Sequence, residues 1–168
     1  MRHVYVFSGP CGCGKTTLSS AFARTLDRPS YIIHGDDFQA GLVTADHIDA
    51  PAWPDILRFN WACILANARH ALNLGVDVLI DYVVEDELPL LQALARETGA
   101  VLHYTVLTVS EDALRQRLTQ RGDPWLIERA LFLKDKLESM PENQGHLLDI
   151  TGMSIAEALH AMSWSHPW

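Results

Sequence analysis

Hydrophobic residues along the chain follow two alternating patterns, which predict strands and helices in turn. Short apolar runs that are typical of buried strands lie at residues 4–7, 31–34, 76–81, 101–109 and 147–150. Apolar residues at helical spacing lie between these runs, and the longest such stretch covers residues 57–72 and is closed by Gly75. Five strands that alternate with helices predict a mainly parallel sheet with helices on both faces.

The helix boundaries are marked by capping residues. A first helix is predicted from Lys15, and another over about residues 85–96. Ser110 is an expected N-cap, and Asp123-Pro124 has the sequence of a cap followed by a first helical residue. Residues 154–157 form a capping box that opens the last helix. Residues 35–54, rich in Gly, Asp and Pro, are predicted to be a loop.

Composition adds limits to this α/β pattern. The 168 residues, with no repeat, linker or low-complexity tract, predict a single domain over residues 1–168. A net charge of −8 disfavours a nucleic-acid partner. No apolar run approaches the roughly 20 residues of a membrane span, and the N-terminus lacks the flanks of a signal peptide. Three cysteines cannot all pair, so we expect a reducing, cytoplasmic setting; the oligomeric state is left open.

A glycine-rich loop between the first strand and the first helix matches G-x-x-x-x-G-K-[ST] at every fixed position. Its glycines let backbone N–H groups turn toward phosphate oxygens, and the helix that follows favours an anion at its N-terminus. Lys15 is expected to reach the β- and γ-phosphates, and the Thr16 hydroxyl to ligate Mg²⁺. The loop therefore predicts binding of a purine nucleoside triphosphate, ATP or GTP, through Gly9, Pro10, Cys11, Gly12, Cys13, Gly14, Lys15, Thr16 and Thr17.

Two alternatives concern this same loop. A chance glycine-rich turn would match the pattern, but the strand and helix on either side are the context that a P-loop requires. Cys11 and Cys13 could also serve a metal or redox role, although no further ligand cysteines accompany them.

An acidic pair follows the second strand. Ligands in an open α/β sheet bind at the carboxyl ends of the strands, so Asp36 and Asp37 are expected near the γ-phosphate. A carboxylate there can accept the proton of an attacking hydroxyl. Asp36 is the better candidate because Gly35 lets the backbone pass close to substrate. The alternative is an Asp-rich turn that only caps a loop.

Three further charged residues fit the same chemistry. Asp81 closes an apolar strand and resembles a Walker B aspartate, which holds Mg²⁺ directly or through water. Arg117 and Arg121 are i,i+4 neighbours on a helix, where one could clamp the nucleotide and the other could stabilise the transferred phosphoryl group. A solvated, salt-bridged helix face is the alternative for the arginines.

Together these residues resemble the small P-loop kinases that phosphorylate metabolites and antibiotics. That group includes gluconate, shikimate and adenylylsulfate kinases and chloramphenicol phosphotransferase, with zeta toxins as relatives, and the overall likeness is to uncharacterised kinases of the group. Gly35-Asp36 is similar to their acidic motif, the Arg117–Arg121 spacing to the entrance of their lid, and residues 148–152 to the segment under the adenine. The resemblance implies a three-layer α/β/α fold with strand order 2-3-1-4-5. The lid is short, since only Gly122-Asp123 separates two helices.

We therefore expect an ATP- and Mg²⁺-dependent phosphotransferase that acts on a hydroxyl of a small molecule, either a metabolite or an antibiotic. Its acceptor is expected between residues 36–53 and the helix that carries Arg58, Asn60 and Trp61, although Trp61 falls on the apolar stripe and fits core packing. No substrate motif of one group member is matched in residues 39–60. Two alternatives stay open: an NTPase that hydrolyses, and a nucleotide-binding regulatory module. A nucleic-acid or nucleotide kinase is disfavoured by the net charge.

Overall fold

The central sheet has five strands, all parallel, in a computed structural model that describes residues 1–162. The remaining residues of the expected domain, 163–168, lie outside the described part. The strands are β1 His3–Ser8, β2 Ser30–His34, β3 Asp77–Asp81, β4 Val101–Thr108 and β5 Leu147–Asp149. Their order across the sheet is β2-β3-β1-β4-β5, which confirms the predicted order.

Helices connect successive strands and cover the sheet. They are α1 Lys15–Ala23, α2 Gly35–Ala40, α3 Trp53–Leu74, α4 Leu88–Thr98, α5 Glu111–Arg121, α6 Ile127–Ser139 and α7 Ile155–Ala161, with short 3₁₀ helices at Pro124–Leu126 and Pro141–Asn143. Within residues 1–162, none of these helices is long and apolar enough to cross a membrane.

The hydrophobic core lies in two layers, one on each face of the sheet. Alternate side chains of β1 point to opposite faces, so Val4 and Val6 join one layer while Tyr5 and Phe7 join the other. The first layer packs against α3 and α4, and the second against α1, α5, α6 and α7. A parallel sheet buried on both faces explains why its strands appear as continuous apolar runs. The three-layer α/β/α architecture is thus confirmed.

The capping predictions for α5 and α7 are also confirmed. The Ser110 side chain accepts a hydrogen bond from the Ala113 N–H, and Ser154 with Glu157 forms the complete capping box.

The predicted secondary structure differs from the observed one in three places. The segment expected as a loop begins with α2, whose first turn holds Asp36 and Asp37, where negative charge stabilises the helix dipole. Helix α4 begins at Leu88 rather than near residue 85, with a proline in its first turn. Asp123-Pro124 opens a 3₁₀ helix before α6, and the Asp123 carboxylate accepts from Arg121 instead of capping.

Candidate active site

The P-loop connects the end of β1 to the start of α1 and requires glycine for a steric reason. Gly9 has a φ of +139°, and a Cβ atom at this position would lie 2.4 Å from the Leu107 carbonyl oxygen of β4. Any larger residue would therefore force the loop away from the neighbouring strand. The close contact places the loop above the centre of the sheet, because β1 lies between β3 and β4.

Lys15 bridges its own loop. Its Nζ atom donates hydrogen bonds of 2.9 Å to the carbonyl oxygens of Gly9 and Pro10, and the side chain is largely buried. Phosphate oxygens are stronger acceptors for an ammonium group than neutral carbonyls. The ammonium group is thus held at the loop, where a bound phosphate can compete for its hydrogen bonds.

A cavity of about 790 Å³ opens above the P-loop. The residues that line it include most of the predicted site, namely Cys11, Gly12, Cys13, Gly14, Lys15, Thr16, Thr17, Asp36, Arg117 and Arg121. Gly9, Pro10 and Asp81 are predicted site residues that do not line it. The structure thus brings the phosphate loop, one acidic residue and both lid arginines to one space.

Asp36, and not Asp37, lines this cavity from the first turn of α2. Gly35, just before it, is buried against an aromatic ring: a Cβ atom there would lie 2.3 Å from the Tyr82 ring. The close approach that glycine permits is therefore to Tyr82, a reason that the sequence did not indicate. This contact holds the backbone before Asp36 close to Tyr82, the residue that directly follows β3.

Asp81 lies below the cavity in a buried hydrogen-bond network. Its Oδ2 atom accepts from the Ser19 hydroxyl at 2.7 Å and from the His34 Nδ1 atom at 2.6 Å. Burial raises the pKa of Asp81, while the hydrogen bonds from Ser19 and His34 act in the opposite direction. The carboxylate thus faces α1 one turn beyond Thr16 instead of opening directly onto the cavity.

The predicted Mg²⁺ site has two candidate oxygen donors, the Thr16 hydroxyl and the Asp81 carboxylate. Thr16 presents an exposed hydroxyl in the cavity, and Asp81 lies one helical turn away through Ser19. Mg²⁺ commonly keeps several waters and binds through few protein oxygens plus substrate phosphates. These oxygen donors fit such an ion, and the ligand roles of Thr16 and Asp81 stay predictions.

The lid arginines have different partners. Arg117 donates from Nη1 to the backbone carbonyl oxygen of Cys13 at 2.8 Å, so it is tied to the P-loop. Arg121 pairs with Asp123 at 2.5 Å, beyond the end of the same helix. Both side chains line the cavity, and their roles toward the phosphates stay predictions.

The cavity residues that the sequence analysis did not single out include Tyr82, Glu87 and Arg129. Tyr82 directly follows the strand that ends at Asp81, a position from which it could have been found. Its hydroxyl accepts a hydrogen bond from the Asn60 Nδ2 atom at 2.9 Å. Glu87 and Arg129 lie in segments whose local pattern carries no such signal.

For Cys13, burial disfavours the metal or redox alternative. Cys13 is fully buried, and burial raises the pKa of its thiol. A raised pKa leaves little thiolate to react or to bind a metal.

Comparisons with known proteins agree with this architecture. The sequence profile of a family described as AAA domain matches residues 4–131. The tunicamycin resistance protein of Deinococcus radiodurans superimposes with a TM-score of 0.68 at 15% identity, over 96% of this chain and 94% of that chain. A gluconokinase from Sinorhizobium meliloti 1021 gives a TM-score of 0.61 at 19% identity, with 96% and 91% covered.

A third solved structure, a sugar kinase from Janibacter sp. HTCC2649, gives a TM-score of 0.60 at 17% identity, with 98% and 95% covered. No curated protein sequence matches the chain. The superpositions show that these proteins share the fold of the chain. At identities this low, they show the fold alone.

Proposed function

Since the chain belongs to the AAA domain family, and its fold is that of small P-loop kinases, we propose that it is an ATP- and Mg²⁺-dependent phosphotransferase. The γ-phosphate is transferred to a hydroxyl of a small molecule. One observation carries the proposal: Lys15, Thr16 and Asp36 line the same cavity. A phosphate-binding loop and a carboxylate that can accept a proton are the two parts that transfer to an alcohol needs.

The size and shape of the cavity support transfer over hydrolysis. Ligand pockets commonly measure about 300–1,000 Å³, and this one, at about 790 Å³, extends past the P-loop to Trp53 and Leu57. Water alone would need no such extension. The space beyond the phosphates therefore suits a second, organic ligand.

The nucleotide is held at the other end. The P-loop amides and Lys15 bind its phosphates, and Ile150 and Met153, which follow β5, offer apolar contacts for the adenine ring. Thr16, with Asp81 through water, would hold Mg²⁺; the chemistry that this ion supplies when bound is neutralisation of charge on the phosphate oxygens.

In the transfer step, the acceptor oxygen attacks the γ-phosphorus while the bond to the β,γ-bridging oxygen breaks and ADP leaves. Asp36 accepts the proton of the acceptor hydroxyl. Arg117 and Arg121 stabilise the charge on the transferred phosphoryl group.

Thermal-shift and transfer measurements together test the proposal. A non-hydrolysable ATP analogue with Mg²⁺ should raise the melting temperature of the protein, and label from [γ-³²P]ATP should appear in a small molecule of a metabolite and antibiotic panel. Release of free phosphate alone would instead support an NTPase. Nucleotide binding with neither product would support a regulatory module.

We also propose that residues 1–168 act as one domain in the cytoplasm. The free thiols of Cys11, Cys13 and Cys63 suit a reducing compartment.

A further inference from the structure

The strand order divides the cavity into two halves of different chemistry. The P-loop follows the central strand β1, and Ile150 and Met153 follow β5 on one side of it. On the other side lie the residues that follow β2 and β3 together with the start of α3. We call this side the acceptor half; its lining includes Asp36, Leu42, Trp53, Leu57, Tyr82 and Glu87.

The acceptor half has an apolar wall. Trp53 and Leu42 leave 46% and 43% of their surfaces exposed, and both line the cavity next to Leu57 and Val83. Large apolar side chains that stay exposed inside a concave site favour a ligand that buries apolar surface of its own. The acceptor is therefore expected to carry an apolar or aromatic group.

Positive charge in the acceptor half is already paired. Arg129 lines this region from α6, but its guanidinium donates to Glu85 and lies 5.3 Å from the centre of the Phe132 ring. Lys136 pairs with the same Glu85 at 3.0 Å and with Asp86 at 3.4 Å. Among the described residues, these two cations thus meet two carboxylates, so their positive charge is already matched at this edge of the acceptor half.

Negative charge in the acceptor half is not paired in this way. Among residues 1–162, no cation lies within ion-pair distance of Asp36 or Glu87. The Glu87 Oε2 atom accepts from the backbone N–H groups of Glu85 and Asp86 at 2.9 and 3.0 Å, so the carboxylate is held in place.

The negative charges of Asp36, Glu87 and Glu85 act together on the phenol of Tyr82. Burial raises the pKa of its phenol, the hydrogen bond from Asn60 opposes that rise, and the charges of Asp36, Glu87 and Glu85 add to it. The wall of the acceptor half therefore combines apolar surface with a net negative potential.

We propose that the phosphate acceptor is an amphipathic amino alcohol, whose ammonium group binds Glu87 and whose apolar part packs against Trp53 and Leu57. The inference rests on the proposed function, since it assumes that an acceptor binds beside the nucleotide. The hydroxyl of the acceptor then lies toward Asp36, which takes its proton as the oxygen bonds to phosphorus. Acceptors that bear a carboxylate are repelled, because Asp36 and Glu87 carry the same sign.

A matched panel of acceptors tests this inference. Each set contains an aryl amino alcohol such as 2-amino-3-phenylpropan-1-ol, its N-acetyl derivative, and the hydroxy acid 2-benzyl-3-hydroxypropanoate, which keeps the primary hydroxyl and has a carboxylate in place of the amine. We expect the hydroxyl of the free amino alcohols to accept phosphate from [γ-³²P]ATP. Their kcat/KM should exceed that of the N-acetyl forms about tenfold or more, which is the effect of one charge-assisted hydrogen bond. The hydroxy acids should not react.

Variants of the protein locate the effect. Glu87→Gln removes the charge but keeps an oxygen that can accept from both backbone amides. The ratio of kcat/KM for the free amine to kcat/KM for its N-acetyl form should therefore fall to about one. The control Glu142→Gln removes an exposed carboxylate outside this cavity and should keep the preference. The comparison of amines with N-acetyl forms on the unmodified protein needs no variant to fold.

The outcomes separate the inference from the proposed function. Equal rates for amines and N-acetyl forms, preferred hydroxy acids, or no reaction of any aryl amino alcohol while the ATP analogue still raises the melting temperature would overturn the inference alone. Failure of the ATP analogue to bind would overturn the proposed function itself.

Discussion

Arg117 and Cys13 are joined by a hydrogen bond of 2.8 Å from the guanidinium Nη1 atom to a backbone carbonyl oxygen of the P-loop. The same guanidinium passes close to Gly14, where a Cβ atom would lie 3.9 Å from it. Helix α5 is therefore attached to the phosphate loop by a direct hydrogen bond. Arg121, one turn further along, pairs with Asp123 instead. The two arginines should consequently differ in the step at which they act.

Replacing Arg121 with alanine should lower kcat more than it weakens ATP binding. In the proposed mechanism, Arg121 exchanges its partner Asp123 for the transferred phosphoryl group, and the full charge on that group develops only in the transition state. Steady-state kinetics, together with titration of a fluorescent ATP analogue, would measure the two effects. Arg117→Ala is the comparison, since its contact with the P-loop predicts a larger loss of affinity. Weakened binding with kcat intact in Arg121→Ala would assign Arg121 to nucleotide binding.

Lys15→Ala should abolish most nucleotide binding and turnover. The Lys15 ammonium is the cation held inside the P-loop by two carbonyl oxygens, and alanine leaves the phosphates without it. Lys134→Ala is a suitable control, because Lys134 pairs with Glu138 and does not line the cavity. Titration with the fluorescent analogue decides the matter: a folded Lys15→Ala protein with normal affinity and turnover is incompatible with the P-loop assignment.

Asp36→Asn should keep ATP·Mg²⁺ binding and lose phosphoryl transfer. The substitution preserves shape and removes the basic carboxylate, and a general base typically contributes about 10²–10⁴-fold. Asp37→Asn provides the matched control, since Asp37 lies in the same helical turn but does not line the cavity. Transfer to an identified acceptor would be measured for both. Normal transfer by Asp36→Asn with loss in Asp37→Asn would identify Asp37 as the base.

Gly35→Ala should destabilise the protein. Alanine is favoured over glycine in a helix by about 1 kcal/mol, but its Cβ atom would lie 2.3 Å from the Tyr82 ring, which has to shift. Overpacking of this kind costs about 1–3 kcal/mol, so the clash should outweigh the helical preference. Urea unfolding would measure the change. In the control Gly145→Ala, the added Cβ atom meets nothing within 4 Å, and stability should be unchanged within error.

Stability should fall as the pH drops from about 6.5 to about 4, in part because of His103. Burial, followed by the nearby charge of His3, lowers the pKa of His103 from 6.5 to about 4. Between these values the unfolded chain binds a proton at this position and the folded chain does not, so acid favours unfolding. His103→Phe, which keeps a ring against Tyr5, should flatten the dependence in urea unfolding between pH 7 and pH 4.5. His47→Gln, in an exposed segment, should not.

The sequence predicted the parts of this molecule that depend on local pattern. Apolar runs located the strands, and Ser110 and Ser154 located two helix starts, because capping involves neighbours along the chain. The strand order came from the resemblance to P-loop kinases. Contacts between distant segments could not be predicted. The ion pair between Arg129 and Glu85, which lie 44 residues apart along the chain, is one such contact.

Asp81 illustrates the same limit within the site. Its position at the end of a strand was correct, but Ser19 and His34, which occupy its Oδ2 atom, lie 62 and 47 residues away along the chain. Its assignment as a metal ligand stays a prediction, with water as the proposed intermediary. The sequence alone could not show which of Asp36 and Asp37 lines the cavity. Helix α2 decides this, and the sequence analysis had predicted a loop there.

The contact between Gly35 and Tyr82 has a consequence for how the protein would discriminate among acceptors. The backbone before Asp36 rests directly on the Tyr82 ring, and that ring lines the space in which the acceptor is proposed to bind. A molecule that tilts the ring on binding would also displace Asp36, so the reacting groups would lose their alignment although the molecule remains bound. Ill-fitting compounds would then occupy the protein as slow substrates or competitive inhibitors, and selectivity would reside in turnover more than in occupancy.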